Sequence, residues 1–512
     1  MKYTFRILEG EHWWGGTSDH GIKMPFGEKS EYSFDFRLRS PNQAMPLYIS
    51  DMGRYIWSEK PFKVEISRGK IIMESDYEIS LYHKGNTLRE AYVSAMKNHF
   101  SFSGKGVKDE FFLSPQFNTW IEFTYDQNQE GITEYATNII KEGYTPGIIM
   151  IDEGWQKAYG DWTFDEKKFP DPKKMTDYLH SLGFKVMLWV VPMVCPDGKY
   201  YRKYRNDTRH FLRTSKGKPA LVEWWNGVSA ILDFTKDEDV EFLSSQLDKL
   251  IDDYGIDGFK FDGGTLQMYH KSNIINGDDN QESTPSDVLN IRWNEFGRRY
   301  PYHEYKDTFK GGGRPVIQRI RDKQHSWDNE GINTLIPNGI VLGLIGHPFI
   351  CPDMIGGGDY EAFVPERFRL DEELFVRMAE CSALFPMMQF SKAPWNTLSR
   401  KNNQYVKSAA ETRMRFRDYI MGLVRYAEIS GEPILRNMEY EFPHMGYHNV
   451  KDQFMLGDRY LVAPVITKGA VRRDVILPEG KWKMYNGDIF DGGKTVTVDA
   501  PLGVIIYFEK IC

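Results

Sequence analysis

The sequence predicts a (β/α)8 TIM barrel of the α/β class, with a β-sandwich domain before it and a β-domain after it. Three observations support this fold class: alternating runs at the start, a long middle stretch in which apolar runs and helical patterns take turns, and renewed alternation at the end. A chain of 512 residues has room for roughly three such domains. We predict an N-terminal β-sandwich over 1–115, a catalytic barrel over 116–430 and a C-terminal β-sandwich domain over 431–512.

The N-terminal segment has the pattern of half-buried antiparallel strands. Apolar and polar residues alternate in EYSFDFRLRS and PFKVEISRGKIIMES, and glycine, proline and asparagine interrupt the runs. The middle segment differs, because its runs are too apolar to leave one face of a sheet in water. About eight barrel strands are expected there, within TWIEF, GIIMID, KVMLWVVP, AILDF, DGFKFDG, PVIQRI, PFICPDM and PMMQFS.

The end of the chain returns to strand alternation. A helical pattern over about 405–427 is expected to complete the barrel wall. After it, DQFMLGDRYLVAPVI, RRDVILPEGKWKMYNG and KTVTVDAPLGVIIYFE alternate apolar and polar residues, with turn residues between them. These runs predict the C-terminal β-domain.

The composition argues against several classes of protein. The net charge of −7 is small and Lys and Arg are scattered, so no nucleic-acid partner is expected. No long apolar run is present, near the start or elsewhere, so we expect no membrane segment and a cytoplasmic location. The cysteines lack zinc-site spacing and are expected to be free thiols: Cys195, Cys351, Cys381 and Cys512.

Carboxylates close several of the predicted barrel strands. IIMIDEGW ends in Asp152 and Glu153, AILDFT in Asp233, GFKFDGG in Asp262, and FICPDMIGGG contains Asp353. Chemistry in such a barrel sits at the carboxyl ends of the strands, so these side chains are candidate catalytic or binding groups. The alternative for each residue taken singly is a helix cap.

The run FKFD carries two charges where a buried strand should be apolar. Residues two apart in a strand point to the same side, so Lys260 and Asp262 are expected to share a face. A neighbouring ammonium would hold the carboxylate ionised, as a nucleophile requires, and Gly263 and Gly264 would leave room for a ligand. A structural ion pair is the alternative.

A glycosidase needs a second carboxyl group that donates a proton to the departing oxygen. The segment RIRDKQHSWDNEG offers Asp322 and Asp328. Asp322 is flanked by basic residues, whereas Asp328 follows Trp327, and apolar cover there would raise its pKa. Asp328 is therefore the better candidate acid. Alternatively, it caps a helix starting near Glu330.

These residues and motifs resemble glycoside hydrolase family 31 along nearly the whole chain. GIDGFKFDGG resembles the family's nucleophile strand, HSWDN its acid/base loop, and GHPFICPDMIGGG a further strand end. DQFMLGDRYLVAPVITKGAVRRDVILPEGKW resembles the β-domain after its barrel. The resemblance implies that Asp262 is the nucleophile and Asp328 the acid/base, and that the glycone pocket includes Asp152, Lys260, Arg321 and Asp353.

Within the family, three segments resemble the α-galactosidase branch: MIDEGWQKAYGDWTFDEKKFPDP, FKFD and PMMQFSKAPWN. The first also resembles the related family 36 α-galactosidases, in which paired acids bind the galactose hydroxyls. Here Glu153 stands in place of the second Asp, and the domain before the barrel is short. Five tryptophans could stack on the sugar, close the pocket or pack in the core: Trp155, Trp189, Trp224, Trp225 and Trp395.

The resemblance implies a retaining, exo-acting α-glycosidase, with α-galactosides preferred. In a retaining enzyme the two carboxyl groups lie about 5–5.5 Å apart, against roughly 6.5–9.5 Å in an inverting one. No metal or organic cofactor is expected, because a lysine beside Asp262 disfavours a cation there. The expected partner is an oligosaccharide or other α-glycoside.

Several alternatives remain open from the sequence alone. The same chemistry suits an α-glucosidase, an α-N-acetylgalactosaminidase or a transglycosylase. A non-catalytic carbohydrate-binding barrel and a structural protein are rivals from other classes. The aromatic content of 14% also leaves a homo-oligomer open, although no particular residue argues for one.

Overall fold

The computed structural model describes residues 1–39, 42–102, 104–214, 216–275, 284–364 and 370–511, with the backbone only for 271–275. The described chain forms two compact units. One comprises 1–34, 45–116 and 312–512, and the other comprises 35–44 and 117–311. Free thiols occur at Cys195, Cys351 and Cys381, whereas Cys512 lies outside the described residues.

Antiparallel pairing dominates the start of the chain, as predicted. One sheet has the strand order Lys2–Arg6, Lys70–Glu74, Lys63–Ser67, Tyr32–Asp35. Another has the order Trp13–Thr17, Ala44–Ser50, Arg54–Ser58, Ile79–His83. Val64 and Ile66 are buried while Glu65 between them faces water, which is the period-two pattern of a half-buried strand. The 3-10 helix Ser18–Lys23 and the helix Leu88–His99 accompany these sheets.

Parallel strands form the sheet that positions the first group of candidate residues. Its neighbours, in order, are Gln116–Asn118, Ile148–Ile151, Lys185–Val190, Gly258–Phe261 and Tyr302–Tyr305. The register places Lys260 opposite Trp189 on one side and Glu304 on the other. Nearly all residues of these strands are buried, which explains why most of them are apolar.

The connections after these strands are mainly helical. Their bounds are Trp120–Phe123, Gln129–Lys141, Pro172–Ser181, Lys199–Tyr204, Asp237–Tyr254, Leu266–Ile275 and Ser286–Gly297. Local residues set the ends: the Asn128 side chain accepts the backbone N–H of Gly131, and Asp171 accepts that of Lys174. Gly255, with φ of 76°, ends the long helix in the left-handed conformation that glycine favours.

Three details of the strand prediction are wrong. TWIEF forms the helix Trp120–Phe123, because the strand has already ended at Asn118. AILDF does not supply a parallel strand: Gly227–Ile231 pairs antiparallel with Leu221–Trp224 and Met193–Val194. The strand Tyr302–Tyr305 was missed because YHEY contains two polar side chains, although all four residues are buried.

The other unit contains further parallel strand pairs and helices. Ile317–Arg319 pairs with Ile350–Cys351, and Met354–Ile355 pairs with Gln389–Phe390. Its helices here include Glu110–Leu113, Leu335–Leu344, Glu372–Ala383, Pro394–Thr397 and Arg400–Ser430, with 3-10 turns at Ile332–Thr334 and Tyr360–Phe363. The last long helix extends beyond the predicted 405–427, from the Ser399 cap to Gly431.

The C-terminal residues form the predicted β-structure. One sheet has the order Leu435–Arg436, Phe454–Leu456, Tyr460–Val462, Tyr507–Lys510, Lys481–Met484, Ile489–Asp491, and Arg472–Leu477 pairs with Lys494–Asp499. The short helix Met438–Glu441 lies between the first two strands in the sequence. Trp482 and Phe508 are central to its buried apolar core. Across the described ranges, none of the helices has the length and apolar character that crossing a membrane requires.

Candidate active site

A buried ion pair joins residues of two parallel strands. Asp152 directly follows the strand Ile148–Ile151, and its Oδ2 lies 2.6 Å from Nζ of Lys260. The side-chain amide of Asn118 donates to the same oxygen at 2.8 Å. Both charged residues are at most 3% exposed. Charges at this depth require such close partners, so the pair fixes one acceptor and one donor at the strand ends.

Asp262 follows the Lys260 strand but has different partners. Its Oδ2 accepts the indole N–H of Trp189 at 3.1 Å and lies 3.5 Å from Nζ of Lys306. Its Oδ1 accepts the backbone N–H of Gly263 at 2.9 Å. An indole donor and a nearby ammonium both favour the ionised carboxylate.

The predicted partnership between Lys260 and Asp262 is therefore wrong. The two residues were expected to pair because they alternate to the same side of one strand. The lysine side chain is long enough to reach past the intervening strand Lys185–Val190 to Asp152. The ammonium beside Asp262 comes instead from Lys306, just beyond the strand that the sequence did not reveal.

The two glycines after Asp262 have different surroundings. Both have φ of 62°, a region that favours glycine. A Cβ atom at Gly264 would approach Cδ1 of Trp293 to 2.4 Å, whereas at Gly263 the nearest atom, in Val191, would be 3.4 Å away. The expected room for a ligand at Gly264 is thus taken up by Trp293, which corrects that prediction.

Glu153 is buried and bonded to a hairpin turn. The indole N–H of Trp225 donates to Oε2 at 3.0 Å, and the side-chain amide of Asn226 donates to Oε1. Burial raises the pKa of Glu153 to about 8, and the charges of Asp152 and Asp262 act in the same direction, although hydrogen bonds from Trp225 and Tyr159 oppose them. The carboxyl group predicted to meet a sugar hydroxyl thus already has protein donors.

The tryptophans predicted to meet the sugar are placed differently from one another. Trp155 is fully buried, donates its indole N–H to the carbonyl oxygen of Trp189 at 2.8 Å, and packs on Phe164. Trp189 is also buried, but its indole N–H contacts the candidate nucleophile Asp262. Trp155 therefore supports the strand that carries Trp189 and, with its ring enclosed, offers no open surface to a ligand.

Asp233, the carboxylate predicted to close the strand AILDF, contacts residues of its own turn. Its Oδ1 accepts the backbone N–H of Thr235 at 3.1 Å and the hydroxyl of the same residue at 2.6 Å. Lys236 lies 3.3 Å from its other oxygen. These contacts form a turn before the helix Asp237–Tyr254. The N-cap of that helix is Lys236, without a side-chain capping hydrogen bond, so Asp233 stabilises its own turn and does not cap the helix.

Removing the ammonium from the buried pair is expected to destabilise the fold. Lys260→Met would leave Asp152 as an uncompensated buried charge, at a cost of about 3–5 kcal/mol. Urea unfolding of the purified protein measures this effect. Lys249→Met removes an exposed ion pair with Asp253 and should cost less than about 1 kcal/mol. Equal losses in the two variants would contradict the assignment of a buried pair.

A second charged group lies in the other unit. Nη1 of Arg319 is 2.6 Å from Oδ1 of Asp353 and 2.7 Å from Oδ1 of Asp322, and the arginine is fully buried. The backbone N–H of Lys323 donates to the other oxygen of Asp353 at 2.7 Å. Burial raises the pKa of Asp353 to about 6, against the lowering effect of Arg319. Asp353 also has φ of 134°, a strained backbone conformation that its contacts hold in place.

Arg319, and not Arg321, is the arginine bonded to Asp353. Arg321, which the family resemblance assigns to the glycone pocket, is partly exposed, and its guanidinium donates to Asp19 at 3.1 Å and to Glu330. The strand Ile317–Arg319 ends at Arg319, so Arg319 is held in the sheet beside the buried carboxylate, whereas Arg321 lies in the segment beyond the strand.

Asp328 lies on an exposed loop. Its Oδ1 accepts the hydroxyl of Ser326 at 2.6 Å and the backbone N–H of Glu330 at 2.9 Å. These hydrogen bonds lower its pKa below the ordinary value. The expected raised pKa is therefore wrong for the free protein, because the Trp327 indole N–H bonds Asp371 and the Asp328 carboxylate remains in contact with water.

Asp371 fixes the residues that flank Asp328. Its Oδ2 accepts the indole N–H of Trp327 at 3.0 Å and lies 2.7 Å from Nζ of Lys468. Its backbone N–H donates to Nε2 of His325 at 3.0 Å, which leaves the Nδ1–H of this imidazole to donate to the carbonyl oxygen of Gly356. Hydrogen bonds between Asp371 and the residues His325 and Trp327 thus hold the loop that carries the candidate acid.

The candidate residues fall into separate groups. One unit brings together Asp152, Glu153, Trp189, Lys260 and Asp262, and the other holds Asp353 and the loop of Asp328. Trp395 is partly exposed in the short helix Pro394–Thr397. No set of three His, Cys, Asp or Glu side chains within the described ranges has the arrangement of a metal site.

Comparison with known families identifies the architecture. Residues 116–423 match the TIM-barrel domain of glycosyl hydrolases family 31, and residues 431–510 match the C-terminal domain of the same family. The chain belongs to glycoside hydrolase family 31. The family barrel and C-terminal domain confirm the predicted fold class, while the exact domain division stays a prediction.

Similar proteins within family 31 are named for several different activities. The chain is 31% identical to the myogenesis-regulating glycosidase of Mus musculus over 437 residues, covering 83% of this chain and 60% of that protein. It is 28% identical over 392 residues to an isomaltosyltransferase of Sporosarcina globispora, covering 69% and 34% of the two chains. An α-glucosidase of Saccharolobus solfataricus is 26% identical over 412 residues, with 72% and 58% covered. The chain thus spans about a third to three fifths of these relatives' lengths.

A solved family 31 structure supports the same fold. The dextranase of Flavobacterium johnsoniae, solved in complex with glucose, superposes with a TM-score of 0.83 at 20% sequence identity. The match covers 99% of this chain and 66% of the dextranase. Similarity at this level of identity shows the shared fold, and the sugar preference requires its own argument.

Proposed function

We propose that the protein is a retaining, exo-acting α-glycoside hydrolase that prefers α-galactosides. The observation that carries this proposal is Asp262, held at the end of a barrel strand between the indole N–H of Trp189 and the ammonium of Lys306. A carboxylate with an indole donor and an ammonium beside it at this position in a family 31 barrel suits nucleophilic attack on an anomeric carbon.

The proposed reaction has two displacements. Asp262 attacks the anomeric carbon while Asp328 donates its proton to the departing oxygen, which leaves the sugar covalently bound to the protein. Asp328 then takes a proton from water, and the resulting hydroxide releases the sugar with its original anomeric configuration. Because Asp328 is exposed and its pKa is low in the free protein, its acid role requires that bound substrate exclude water and favour the neutral form.

Asp152 and Lys260 are the proposed partners of the sugar hydroxyls. The ammonium has three donors and uses one on Asp152 among the described residues, so its remaining N–H groups are suited to hydroxyl oxygens. Galactose differs from glucose by an axial 4-hydroxyl, and a fixed donor and acceptor at one side of the ring would distinguish the two epimers. Sugar-binding roles for Arg321, Asp353 and Trp395 stay predictions.

An α-glucosidase is the second candidate. The names of relatives favour it, because α-glucosidases occur among them at 25–26% identity. Transfer to a sugar acceptor is a variant of the same chemistry, and one relative is an isomaltosyltransferase.

A small substrate panel tests the sugar preference. Initial rates are measured on the 4-nitrophenyl α-glycosides of galactose, glucose and N-acetylgalactosamine, with and without an added sugar acceptor. We expect kcat/KM to be at least tenfold higher for the galactoside than for the glucoside. A faster glucoside would reject the galactose preference and leave the retaining mechanism in place.

A further inference from the structure

A β-hairpin lies in the sequence between the strand of Trp189 and the candidate nucleophile strand. Leu221–Trp224 pairs antiparallel with Gly227–Ile231, and Trp225 and Asn226 form the turn between them. The second hairpin strand also pairs with Met193–Val194, which follows the strand of Trp189. The two hairpin strands and Met193–Val194 therefore form a three-stranded sheet. The turn at the end of the hairpin has no strand partner within the described part of the chain and needs other contacts to hold its position.

Glu153 supplies those contacts. Its carboxyl group accepts the indole N–H of Trp225 and the side-chain amide of Asn226, so both turn residues converge on one acidic side chain. Glu153 is 3% exposed, and a buried carboxyl group is costly unless donors surround it. The hydroxyl of Tyr159 is a further donor to the same group. The two turn residues thus supply hydrogen-bond donors to the buried carboxyl group, and the carboxyl group in turn holds the turn in place.

This arrangement leaves the Trp225 ring in an unusual position. The ring is 48% exposed although its N–H is fixed on a buried carboxyl group. It contacts Trp224 at a centroid distance of 4.8 Å, Trp224 contacts Tyr159 at 5.1 Å, and Tyr159 contacts Trp189 at 6.0 Å. An aromatic series therefore runs from the exposed ring to the tryptophan that donates to Asp262.

We infer that Glu153 is a positioning residue whose hydrogen bonds with Trp225 and Asn226, here called the clasp, hold the hairpin turn so that the Trp225 ring packs against the leaving-group sugar. This inference rests on the proposed glycosidase function. Trp189, which contacts Asp262, is nearly inaccessible, whereas Trp225 at the other end of the aromatic series is half exposed and meets solvent. The apolar face of a pyranose packs on an indole ring, and a fixed ring requires less ordering when the sugar binds.

The first test measures the hairpin itself and needs no enzymatic activity. Hydrogen–deuterium exchange of the 221–231 segment is followed in the full chain, in Glu153→Ala, and in the double variant Trp225→Phe/Asn226→Ala, which removes the turn's donors and keeps a ring. We expect exchange in this segment to accelerate at least fivefold in both variants. Val228→Ala, in the same hairpin and exposed, is the control and should leave exchange unchanged. Unchanged exchange in Glu153→Ala would overturn the clasp.

The second test separates clasping from direct sugar binding. With an α-linked galactosyl disaccharide, Trp225→Phe/Asn226→Ala should raise KM about tenfold and change kcat less than twofold. With α-galactosyl fluoride, which has no leaving-group sugar, KM should change less than twofold. Adding Glu153→Gln to the double variant should cause no further loss, because the clasp is already open, whereas Glu153→Gln alone should retain part of the function through its carbonyl oxygen.

Two kinetic results would overturn the inference. Losses from Glu153→Gln that multiply with those of the double variant would show that Glu153 binds the sugar directly. Equal losses on the disaccharide and the fluoride would place Trp225 away from the leaving group. If neither substrate is hydrolysed, the proposed function fails instead, and hydrogen exchange still decides whether Glu153 holds the hairpin.

Discussion

Asp262→Asn is expected to lower kcat by at least about 10⁴-fold, because an amide cannot form the covalent glycosyl intermediate. The substitution keeps the size of the side chain and the acceptor for the Trp189 indole N–H, so the fold should persist. The rate is measured on an α-galactoside with an activated leaving group. Azide added to Asp262→Gly should restore turnover and give a β-glycosyl azide, since the small anion attacks from the nucleophile's side.

Asp233→Asn is the matched control for this variant. Both aspartates are 7% exposed and follow apolar runs of the sequence, but Asp233 bonds its own turn through Thr235. We expect Asp233→Asn to keep kcat within a few-fold of the unaltered protein. Equal losses in both variants would show that the effect of Asp262→Asn reflects a damaged fold and not lost chemistry.

Asp328→Asn is expected to reduce kcat by about 10²–10⁴-fold on substrates with a poor leaving group, because proton donation to the departing oxygen is lost. An activated aryl leaving group needs little protonation, so bond cleavage should slow far less with such a substrate. Stopped-flow measurement of the aryl burst and steady-state rates on a disaccharide give the two values. The same loss on both substrates would contradict the acid role.

The hydrogen bond from Ser326 gives the acid role a pH signature. This bond stabilises the charged form of Asp328 and lowers its pKa. Ser326→Ala should therefore raise that pKa, keep the acid protonated to higher pH, and move the alkaline limb of the kcat/KM profile upward. Asp322→Asn changes the neighbouring candidate acid, which pairs with Arg319, and should leave this limb in place. If only Asp322→Asn shifted the alkaline limb of the kcat/KM profile, Asp322 would be the acid.

Regular sequence patterns predicted the fold class well. The parallel strands are buried on both faces, so their apolar runs were visible, and the N- and C-terminal strands alternate because one face meets water. The strand Tyr302–Tyr305 escaped detection because His303 and Glu304 interrupt its apolar character although both are buried. Burial of polar residues depends on partners from distant parts of the chain, which local patterns do not contain.

The candidate site was only partly predictable for the same reason. The sequence placed Asp152 and Asp262 at strand ends, and the structure has both directly after strands of one sheet, while their roles stay predictions. Their cationic partners depend on how far each side chain reaches across neighbouring strands, so Lys260 pairs with Asp152 and the missed Lys306 lies by Asp262. The hairpin contacts of Glu153 join residues about 70 positions apart, and no local motif marks them.

Covalent trapping tests the central claim most directly. The protein is incubated with 5-fluoro-α-galactosyl fluoride, whose fluorine slows release of the sugar from the nucleophile, and then digested for peptide mass spectrometry. The account predicts one added fluorosugar on the peptide that contains Asp262, together with loss of activity at the same rate. A label on a different carboxylate, or inactivation without any covalent label, would contradict the account.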